Sequence, residues 1–399
     1  MVEEEHLVKA NTCPLCGVTG ASAFLERRQV PLHQNLLCQS AAEATALNCG
    51  ELAICLCTRC GFVFNAAFRP ELLSYGETYD NTQTHSPLFR RYLTELADDL
   101  VDRYHLAGAA IIEVGCGKGD FLRLLCQGGR NRGRGFDPSY LGPETAEQGA
   151  VHFFTEFYQG QCPDDPPKLV CCRHVIEHVP APLEMLCAIR KALGEPSDAV
   201  VYFETPDVEW SFAQTAFWDF FYEHCSYFTP YTLAWAFEMS GFSVLNVKNV
   251  FGGQYLAIEA KPKASGSPSP SPPVKEVGRL EQRARAFCGH VAMKVGECRE
   301  QVLNLSRQGG CALWGAAAKG VTFANIIDPA RAHIKCVVDI NPAKVGRYVP
   351  GTGHPIVSLA ALGNDYSVAG LLSMNPNYLM EQQAMLSQWS LKIPIKAVT

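Results

Sequence analysis

The sequence has no apolar run of about 18 residues, the length that a membrane-spanning helix needs. It also lacks an excess of positive charge, because 34 lysine and arginine residues face 40 aspartate and glutamate residues and the formal net charge is -6. No basic cluster interleaved with aromatic residues offsets this balance. Residues 1–6 are acidic and lack the apolar core of a signal peptide. We therefore expect a cytoplasmic protein with neither a membrane span nor a nucleic-acid partner.

Cysteine and hydrophobic residues, in contrast, are abundant. The chain of 399 residues contains 18 cysteines, 47% hydrophobic residues and 19% charged residues, a composition typical of a globular protein. This length is sufficient for two or three domains with complete cores. In the reducing compartment that we expect, the thiols are either free or bound to metal, and disulfides are the disfavoured alternative.

Two Cys-x-x-Cys pairs near the N-terminus predict a metal site. They are Cys13 with Cys16 and Cys57 with Cys60, and a glycine follows each pair. Each pair can present two thiolates to one ion, and together they supply the four ligands of a tetrahedral zinc site. Such a closed site offers no coordination position to a substrate, so we expect the zinc to be structural. Residues 17–56 exceed the usual loop of a zinc ribbon, so this segment must fold around the site.

Strand-like and helical patterns alternate along most of the chain and predict an α/β protein. Over residues 71–261 the alternation is typical of a doubly wound, mostly parallel sheet. Residues 262–275 are rich in proline and serine and predict a linker. A second α/β pattern over residues 276–399 predicts a smaller Rossmann-like domain, and residues 1–70 make up the zinc-binding module.

The segment 111–122 predicts a cofactor-binding turn. An apolar run leads into Gly115, Gly117 and Gly119 and then into a helical pattern. The spacing is G-x-G-x-G and not the G-x-G-x-x-G of a dinucleotide site, where the helix N-terminus meets a pyrophosphate. S-adenosylmethionine (SAM) has no phosphate, and the glycines would let the backbone approach its amino-acid tail and ribose. A glycine-rich turn in another kind of doubly wound domain is the alternative.

Two acidic residues near this turn suit the same cofactor. Glu113 comes just before the first glycine, where a carboxylate suits the ammonium group of SAM. Asp137, which Pro138 follows, lies about twenty residues further on, where an acid at the end of the second strand binds ribose hydroxyls. His174, after the fourth strand, is assigned to the same cofactor site.

The candidates for chemistry follow the fourth and fifth strands, whose carboxyl ends border the ligand crevice of a doubly wound sheet. His178 follows the fourth strand, and an aromatic segment with Tyr222, Glu223 and His224 follows the fifth. Histidine suits base catalysis because its pKa lies near neutral pH. The alternatives are that the histidine after the fourth strand is scaffold and that the aromatic run is core.

A polar segment upstream of the glycine turn, residues 75–86, contains Tyr79 and shows no periodicity. It predicts a loop that covers the SAM pocket, and a merely connecting loop is the alternative.

In their order along the chain these parts resemble one family. They are a zinc module, a tyrosine-bearing loop, the glycine turn, His-Val-Pro after the fourth strand, Tyr-Glu-His after the fifth strand and a C-terminal Gly-Ala-Ala-Ala-Lys-Gly turn. The family is that of the three-domain SAM-dependent C-methyltransferases, whose best-known members methylate C3 of dTDP-linked keto-deoxysugars for antibiotics. The resemblance implies that His224 removes the proton beside a ketone and that Glu223 orients it. It also implies that His178 and Tyr79 line the acceptor site.

The chain departs from this family within the fifth-strand motif. The sugar enzymes resemble Tyr-Asp-Glu-His here, with the tyrosine three residues before the histidine. This chain has Phe221 at that place, and its tyrosine is Tyr222, one residue later. The hydroxyl that steadies the enolate is therefore displaced to Tyr222 or missing. The proline- and serine-rich linker is also foreign to the sugar enzymes. Beside a nucleotide-linked keto-sugar, another ketone or an oxygen or nitrogen nucleophile therefore stays open as the acceptor.

The C-terminal turn, residues 315–320, follows a strand and opens a helix. This setting directs backbone N–H groups and the cation of Lys319 toward an anion. The resemblance implies that Gly315 and Lys319 bind the acceptor or its diphosphate, with Asn341 nearby after the next strand. A Rossmann-like domain that serves only for packing is the alternative.

The sequence thus predicts a SAM-dependent C-methyltransferase of natural-product biosynthesis that acts on a carbon next to a carbonyl of a small-molecule acceptor. One alternative is an O- or N-methyltransferase on the same scaffold, and a second is a SAM-binding scaffold without catalysis. The glycine spacing disfavours an NAD-dependent enzyme. The sequence leaves the oligomeric state open.

Overall fold

The structure is a computed structural model that describes residues 12–74, 76, 78–161, 165–264 and 270–398. In these residues the strands form sheets of four, eight and five members. The acidic residues 1–6, Tyr75 and Glu77 of the predicted loop, and the middle of the predicted linker lie outside the described residues. Among the residues described, no helix is both long enough and apolar enough to cross a membrane.

The four-stranded sheet is antiparallel and holds the N-terminal part together. Its strands are β1 (Ser22–Pro31), β2 (Cys49–Leu56), β3 (Val63–Asn65) and β10 (Ser226–Tyr227), paired in that order, and helix α1 (Ala41–Thr45) follows β1. The strand β10 comes from the aromatic segment next to His224. The predicted boundary at residue 70 therefore does not separate two independent sheets, and the division into domains stays a prediction.

The eight-stranded sheet carries the glycine turn. Its strands are β4 (Ala110–Val114), β5 (Arg132–Phe136), β6 (Thr145–Ala146), β7 (Val151–Phe154), β8 (Leu169–Arg173), β9 (Val200–Pro206), β11 (Phe242–Val250) and β12 (Tyr255–Pro262). The helices along this part are α2 (Pro87–Arg103), α3 (Asp120–Cys126), α4 (Pro182–Ala192), α5 (Val208–Ala213) and α6 (Pro230–Met239).

The order of this sheet is β11-β12-β9-β8-β4-β5-β7-β6, and β12 runs antiparallel to both of its neighbours. The strands β4, β5, β7, β8 and β9 are parallel, which confirms the predicted doubly wound α/β fold. The direction of winding reverses between β4 and β8. A ligand crevice is therefore expected outside the carboxyl ends of these two strands.

The five-stranded sheet forms the C-terminal part. Its strands are β13 (Cys311–Trp314), β14 (Ile334–Val338), β15 (Ile356–Val357), β16 (Gly370–Ser373) and β17 (Ile395–Ala397). They are all parallel, in the order β15-β14-β13-β16-β17, which is the predicted Rossmann-like arrangement. Its helices are α8 (Ala318–Ile327), α9 (Leu359–Asp365) and α10 (Leu379–Gln388).

A long helix, α7 (Val274–Arg307), connects the three sheets. One of its faces is apolar, since Val277, Leu280, Ala284 and Phe287 recur at helical spacing and are buried. This face packs against α5 and β1, and the later part of the helix reaches β13 and α8. These residues belong to one apolar core with residues of the four- and five-stranded sheets. Burial along this helix therefore joins the N-terminal sheet, α5 and the C-terminal part in one core.

Candidate active site

The glycine turn after β4 is shaped by close packing on two sides. Gly115 and Gly119 have φ values of 71° and 80°, which side chains rarely adopt. A Cβ atom at Gly115 would lie 2.1 Å from the side chain of Val175, and one at Gly119 would lie 2.4 Å from the ring of Phe153. At Gly117 a Cβ atom would meet nothing within 4 Å. The open side of the turn therefore lies at Gly117, where a ligand can approach the backbone.

Glu113 faces the inside of the protein rather than the open side of the turn. It is 3% exposed, and its Oε2 accepts a hydrogen bond from Leu122 N, in α3, at 3.1 Å. Burial raises the pKa of Glu113 to about 8, although the charge of Arg173 acts in the opposite direction. The carboxyl group thus stabilises the first turns of α3. The predicted contact of Glu113 with the ammonium group of SAM stays a prediction.

Asp137 stands at the carboxyl end of β5, as predicted. Its Oδ2 accepts a hydrogen bond from Gly117 N at 2.8 Å, and its Oδ1 accepts bonds from Ser139 N at 2.8 Å and Ser139 Oγ at 2.7 Å. Pro138 follows it and is half-buried. A carboxylate has about four lone-pair positions, so Oδ2 can accept a further hydroxyl group. The open side at Gly117 together with this acid fits the amino-acid tail and ribose of SAM.

The four predicted zinc ligands converge. The sulfur atoms of Cys13, Cys16, Cys57 and Cys60 all lie within 4.8 Å of one another. Cys13 Sγ is 3.6 Å from Cys60 Sγ, and Cys16 Sγ is 3.4 Å from Cys57 Sγ. A tetrahedral zinc site with Zn–S bonds of about 2.3 Å separates its sulfurs by about 3.8 Å. The cluster therefore fits a zinc ion.

A cavity of about 260 Å³ lies between the three parts of the chain. The predicted site residues in its wall are Tyr79, His174, His178, Glu223, His224, Gly315, Lys319 and Asn341. They come from the loop before α2, from the segment after β8, from the segment between α5 and β10, and from the C-terminal sheet. The structure thus brings together the residues predicted for the acceptor, and His174 joins them there.

His224 is the most enclosed of the histidines in this wall. Its ring packs on Phe221, with a centroid distance of 4.0 Å, and stands nearly perpendicular to His178 at 4.8 Å. One nitrogen of each of these two histidines and a carboxylate oxygen of Glu177 lie within 4.8 Å of one another. Burial lowers the pKa of His224 well below 6.5, and nearby His178, His174 and Lys319 lower it further. The imidazole is therefore neutral at pH 7, the state in which it can accept a proton.

The structure does not show the predicted orientation of His224 by Glu223. The side chain of Glu223 points elsewhere: its Oε2 accepts a hydrogen bond from Gln34 N at 2.8 Å. The backbone carbonyl of Glu223 lies 2.9 Å from His178 Nδ1. Glu223 therefore positions His178 through its main chain, while packing on Phe221 and His178 positions His224.

Tyr222 does not reach the cavity, which corrects the prediction that it serves in catalysis. It is fully buried on the opposite side of the segment, where its hydroxyl accepts a hydrogen bond from Arg69 N at 3.0 Å. Its ring packs on Phe68 at 5.5 Å. Phe221 lines the cavity instead. The one-residue shift in the sequence therefore removes a hydroxyl from the site rather than displacing it within the site.

The predicted loop forms part of the cavity wall. Leu36 and Tyr79 form an isolated β-bridge, and the Tyr79 hydroxyl accepts a hydrogen bond from Asn35 Nδ2 at 3.4 Å. Further along, Ser86 Oγ and Leu88 N both donate to Glu381 of α10, at 3.0 and 2.7 Å. The loop is thus fixed to both the N-terminal part and the C-terminal part.

The C-terminal residues of the site are held by acidic and amide groups. Lys319 Nζ lies 3.1 Å from Asp219 Oδ1 and donates to Gln254 Oε1 at 3.2 Å. It also lies 4.7 Å from the ring centre of Trp210. Asn341 donates to Asp80 Oδ1 at 3.1 Å. The cation expected to bind an anion is therefore already paired with a carboxylate.

Sequence reasoning missed several residues of the site. Asp219 and Gln254 line the cavity as partners of Lys319, and Asn35 lines it as the partner of Lys344 Nζ, at 2.9 Å. Asp339 also lines it. Asn35 lies outside any motif. Asp339 could have been recognised from the sequence, because it directly follows the strand that comes after the C-terminal glycine turn.

Comparisons with known proteins give two matches that together span most of the chain. The family described as a methyltransferase domain matches residues 89–247, and the family described as a C-methyltransferase C-terminal domain matches residues 250–393. The C-methyltransferase NovU of Streptomyces niveus is 25% identical over 366 residues, which cover 87% of this chain and 85% of NovU.

Two solved structures of methyltransferases match over less than half of the chain. The magnesium protoporphyrin IX methyltransferase ChlM of Synechocystis PCC 6803, with bound S-adenosylhomocysteine, is 17% identical with a TM-score of 0.34, covering 44% of this chain and 84% of that one. The 1,6-didemethyltoxoflavin-N1-methyltransferase of Burkholderia thailandensis is 16% identical with a TM-score of 0.34, covering 43% of this chain and 79% of that one.

Proposed function

Since this chain belongs to the family of SAM-dependent C-methyltransferases, we propose that it methylates a carbon next to a carbonyl group, with His224 as the base. The family predicted from the order of the motifs is thereby confirmed. The observation that carries the proposal is the state of His224: a neutral imidazole in the wall of a cavity that three parts of the chain enclose. No hydrogen bond reaches its ring from the part of the chain that is described, so the ring nitrogens are available to the acceptor.

The proposed reaction balances without any further reagent. His224 takes the proton from the carbon beside the carbonyl, and the electrons of the C–H bond move to the carbonyl oxygen as an enolate. The enolate carbon then forms a bond to the methyl group that SAM supplies, and the sulfur keeps the electrons of the broken S–CH₃ bond. General base catalysis of this kind contributes about 10²- to 10⁴-fold to the rate.

The enolate oxygen needs a hydrogen-bond donor, and Phe221 supplies none. We propose that Tyr79 takes this role. Its hydroxyl is bound to Asn35 Nδ2, and Asn35 Oδ1 accepts a charge-assisted bond from the buried Lys344 at 2.9 Å. This chain of bonds draws electron density away from the Tyr79 hydroxyl and strengthens it as a donor.

A second candidate is O- or N-methylation, and the presence of Phe221 favours it, because an oxygen or nitrogen nucleophile needs no enolate stabilisation. The match to the C-methyltransferase C-terminal domain and the relationship to NovU favour carbon as the acceptor atom. We further propose a small-molecule acceptor from natural-product biosynthesis, either a nucleotide-linked keto-sugar or another ketone, and a cytoplasmic location.

Deuterium exchange separates the two candidates. In D₂O with S-adenosylhomocysteine bound, the wild-type protein is expected to exchange the α-proton of a ketone acceptor, with a dTDP-linked keto-deoxysugar and a β-keto ester as probes. The His224→Ala variant should lose exchange and turnover by about 10²-fold or more while it retains S-adenosylhomocysteine binding. His152→Ala, at an exposed strand position outside the cavity, is the matched control. Full activity of His224→Ala, or turnover without α-proton exchange in the wild type, would remove His224 from this role.

A further inference from the structure

The C-terminal sheet repeats the hydrogen-bond geometry of the cofactor turn. In the large sheet, Asp137 Oδ2 accepts from Gly117 N, 20 residues earlier, and Asp137 Oδ1 accepts from Ser139 N, both at 2.8 Å. In the C-terminal sheet, Asp339 Oδ2 accepts from Ala316 N, 23 residues earlier, at 2.7 Å, and Asp339 Oδ1 accepts from Asn341 N at 2.8 Å. In both cases the acid directly follows the second strand of its sheet.

This position has a defined chemistry in doubly wound sheets. The acid that ends the second strand hydrogen-bonds the ribose hydroxyls of a dinucleotide. In the C-terminal sheet the winding reverses between β13 and β16, so its crevice lies outside the carboxyl ends of those strands. The cavity wall contains residues from that edge: Trp314 at the end of β13 and Gly315 after it, Asp339 after β14, and Met374 and Asn375 after β16. Asp339, at the end of the neighbouring strand β14, therefore lines the common cavity beside the switch point of its own sheet.

The charges in the wall favour hydroxyl groups over phosphate at this place. Among the described residues, five carboxylates and two lysines line the cavity, and the carboxylates are Glu177, Asp219, Glu223, Asp339 and Glu381. Of the lysines, Lys319 is paired with Asp219, and Lys344 is buried and donates to Asn35 Oδ1 and Ala316 O. A diphosphate would add negative charge where cations are already paired.

Two further buried oxygens in the wall need hydrogen-bond donors. Glu223 Oε1 and Gln382 Oε1 have no hydrogen-bond partner among the described residues, and both side chains are at least nine-tenths buried. Buried acceptors of this kind are costly unless a ligand or water donates to them. A ligand that carries several hydroxyl groups satisfies this requirement.

We propose that Asp339 binds a vicinal diol of the acceptor, the ribose of a nucleoside or a sugar ring, through two hydroxyl groups that donate to its carboxylate. This assignment rests on the proposed function, since the same cavity holds the acceptor. It adds a substrate class to that function: the acceptor carries an intact pair of neighbouring hydroxyls, and the C-terminal sheet recognises them.

Direct binding tests the proposal without turnover. With S-adenosylhomocysteine saturating the cofactor site, uridine and 2′-deoxyuridine are titrated by calorimetry, and so are methyl mannopyranoside and the corresponding 2-deoxy glycoside. The diol of at least one pair is expected to bind about tenfold or more tightly than its deoxy partner, because hydrogen bonds to a charged group are the stronger ones. The pair that shows the preference identifies the source of the diol.

Two variants test whether Asp339 causes the preference for the diol. Asp339→Asn should lose the tenfold preference while it keeps wild-type affinity for S-adenosylhomocysteine. Asp137→Asn, the matched control at the equivalent position of the large sheet, should weaken S-adenosylhomocysteine and keep the diol preference. Three results would overturn the proposal: equal binding within both pairs, no binding of any diol at concentrations up to about 10 mM, or tighter binding of inorganic pyrophosphate than of the diols. Because His224→Ala should retain the preference while losing turnover, failure of the proposed reaction and failure of this assignment are distinguishable.

Discussion

Two glycine-to-alanine substitutions in the glycine turn should show that one glycine mainly supports folding and the other mainly permits cofactor binding. Gly115 and Gly117 both have positive φ, 71° and 54°, so alanine at either position costs about 1–2 kcal/mol of backbone strain. Their surroundings differ. A Cβ atom at Gly115 would lie 2.1 Å from Val175 Cγ2, whereas a Cβ atom at Gly117 would meet no protein atom within 4 Å.

Different losses follow for the two variants. At Gly115 a methyl group would also overpack against the β-branched side chain of Val175, which adds about 1–3 kcal/mol to the backbone strain. Gly115→Ala should therefore lower the free energy of unfolding by about 2–5 kcal/mol. Gly117→Ala should lower it only by the strain of about 1–2 kcal/mol. Its new methyl group, however, points into the space that we assign to SAM, so affinity for S-adenosylhomocysteine should fall by about tenfold or more.

The assays are thermal unfolding with and without ligand and calorimetric titration of S-adenosylhomocysteine. We expect Gly115→Ala to lose more of the free energy of unfolding, and Gly117→Ala, although more stable, to lose more affinity for S-adenosylhomocysteine. Wild-type affinity in Gly117→Ala would show that the open side of the turn does not face the cofactor. Equal destabilisation of the two variants would show that the packing of Val175 on the turn is looser than the structure has it.

Two further predictions concern the metal and the pH dependence. Protein purified without chelator should contain about one zinc per chain. Cys57→Ser should lower both the zinc content and the melting temperature, whereas Cys49→Ser, at an exposed cysteine outside the cluster, should change neither. Less than half an equivalent of zinc in the wild-type protein would refute the site. Burial holds the pKa of folded His224 below the 6.5 of the unfolded chain, so between these two pKa values the unfolded state binds more protons than the folded state. The His224 contribution to stability should therefore rise with pH between the two pKa values and be level above about pH 7. Turnover follows the folded-state pKa alone and should already be level near pH 6.5; a turnover profile that still rises steeply above pH 7 would contradict the burial of His224.

Sequence reasoning predicts the parts of the fold in which one local pattern determines the structure. The two Cys-x-x-Cys pairs converge because each knuckle holds two thiols close together by itself, and the chain between them has only to close. The glycine turn at Gly115 follows from the alternation of an apolar strand, glycines and a helix. The β-strand that Ser226 and Tyr227 add to the N-terminal sheet is different, because pairing with Phe64 and Val63 depends on residues more than 160 positions away. Nothing local in the sequence marks such a partner.

In the site, too, the sequence does not predict the direction of a side chain that depends on packing with distant residues. His178 lies at the cavity, as expected, because it closely follows the end of β8 and strand ends share one edge of a parallel sheet. Glu223 and His224 reach the same cavity from the irregular segment between α5 and β10. Tyr222 was misplaced, because neighbouring residues in an irregular segment point in different directions and only packing decides between them. The direction of Tyr222 is fixed by the Arg69 backbone and by Gly50, where a Cβ atom would lie 2.3 Å from the tyrosine ring.

The cavity exists only because three parts of the chain meet, and this has a consequence for how the site excludes water. The loop with Tyr79 is tied to the N-terminal part through its bridge to Leu36, and its end is tied to Glu381 of the C-terminal part. Lys344 of the C-terminal sheet reaches Asn35 of the N-terminal part at 2.9 Å and so completes the wall behind Tyr79. His224 lines this cavity together with residues of the N- and C-terminal parts, so loss of either part should increase its contact with water and move its pKa toward the ordinary value. The depressed pKa of His224 is thus a property of the assembled chain, and the N- and C-terminal parts act on the chemistry by enclosing a base that neither of them contains.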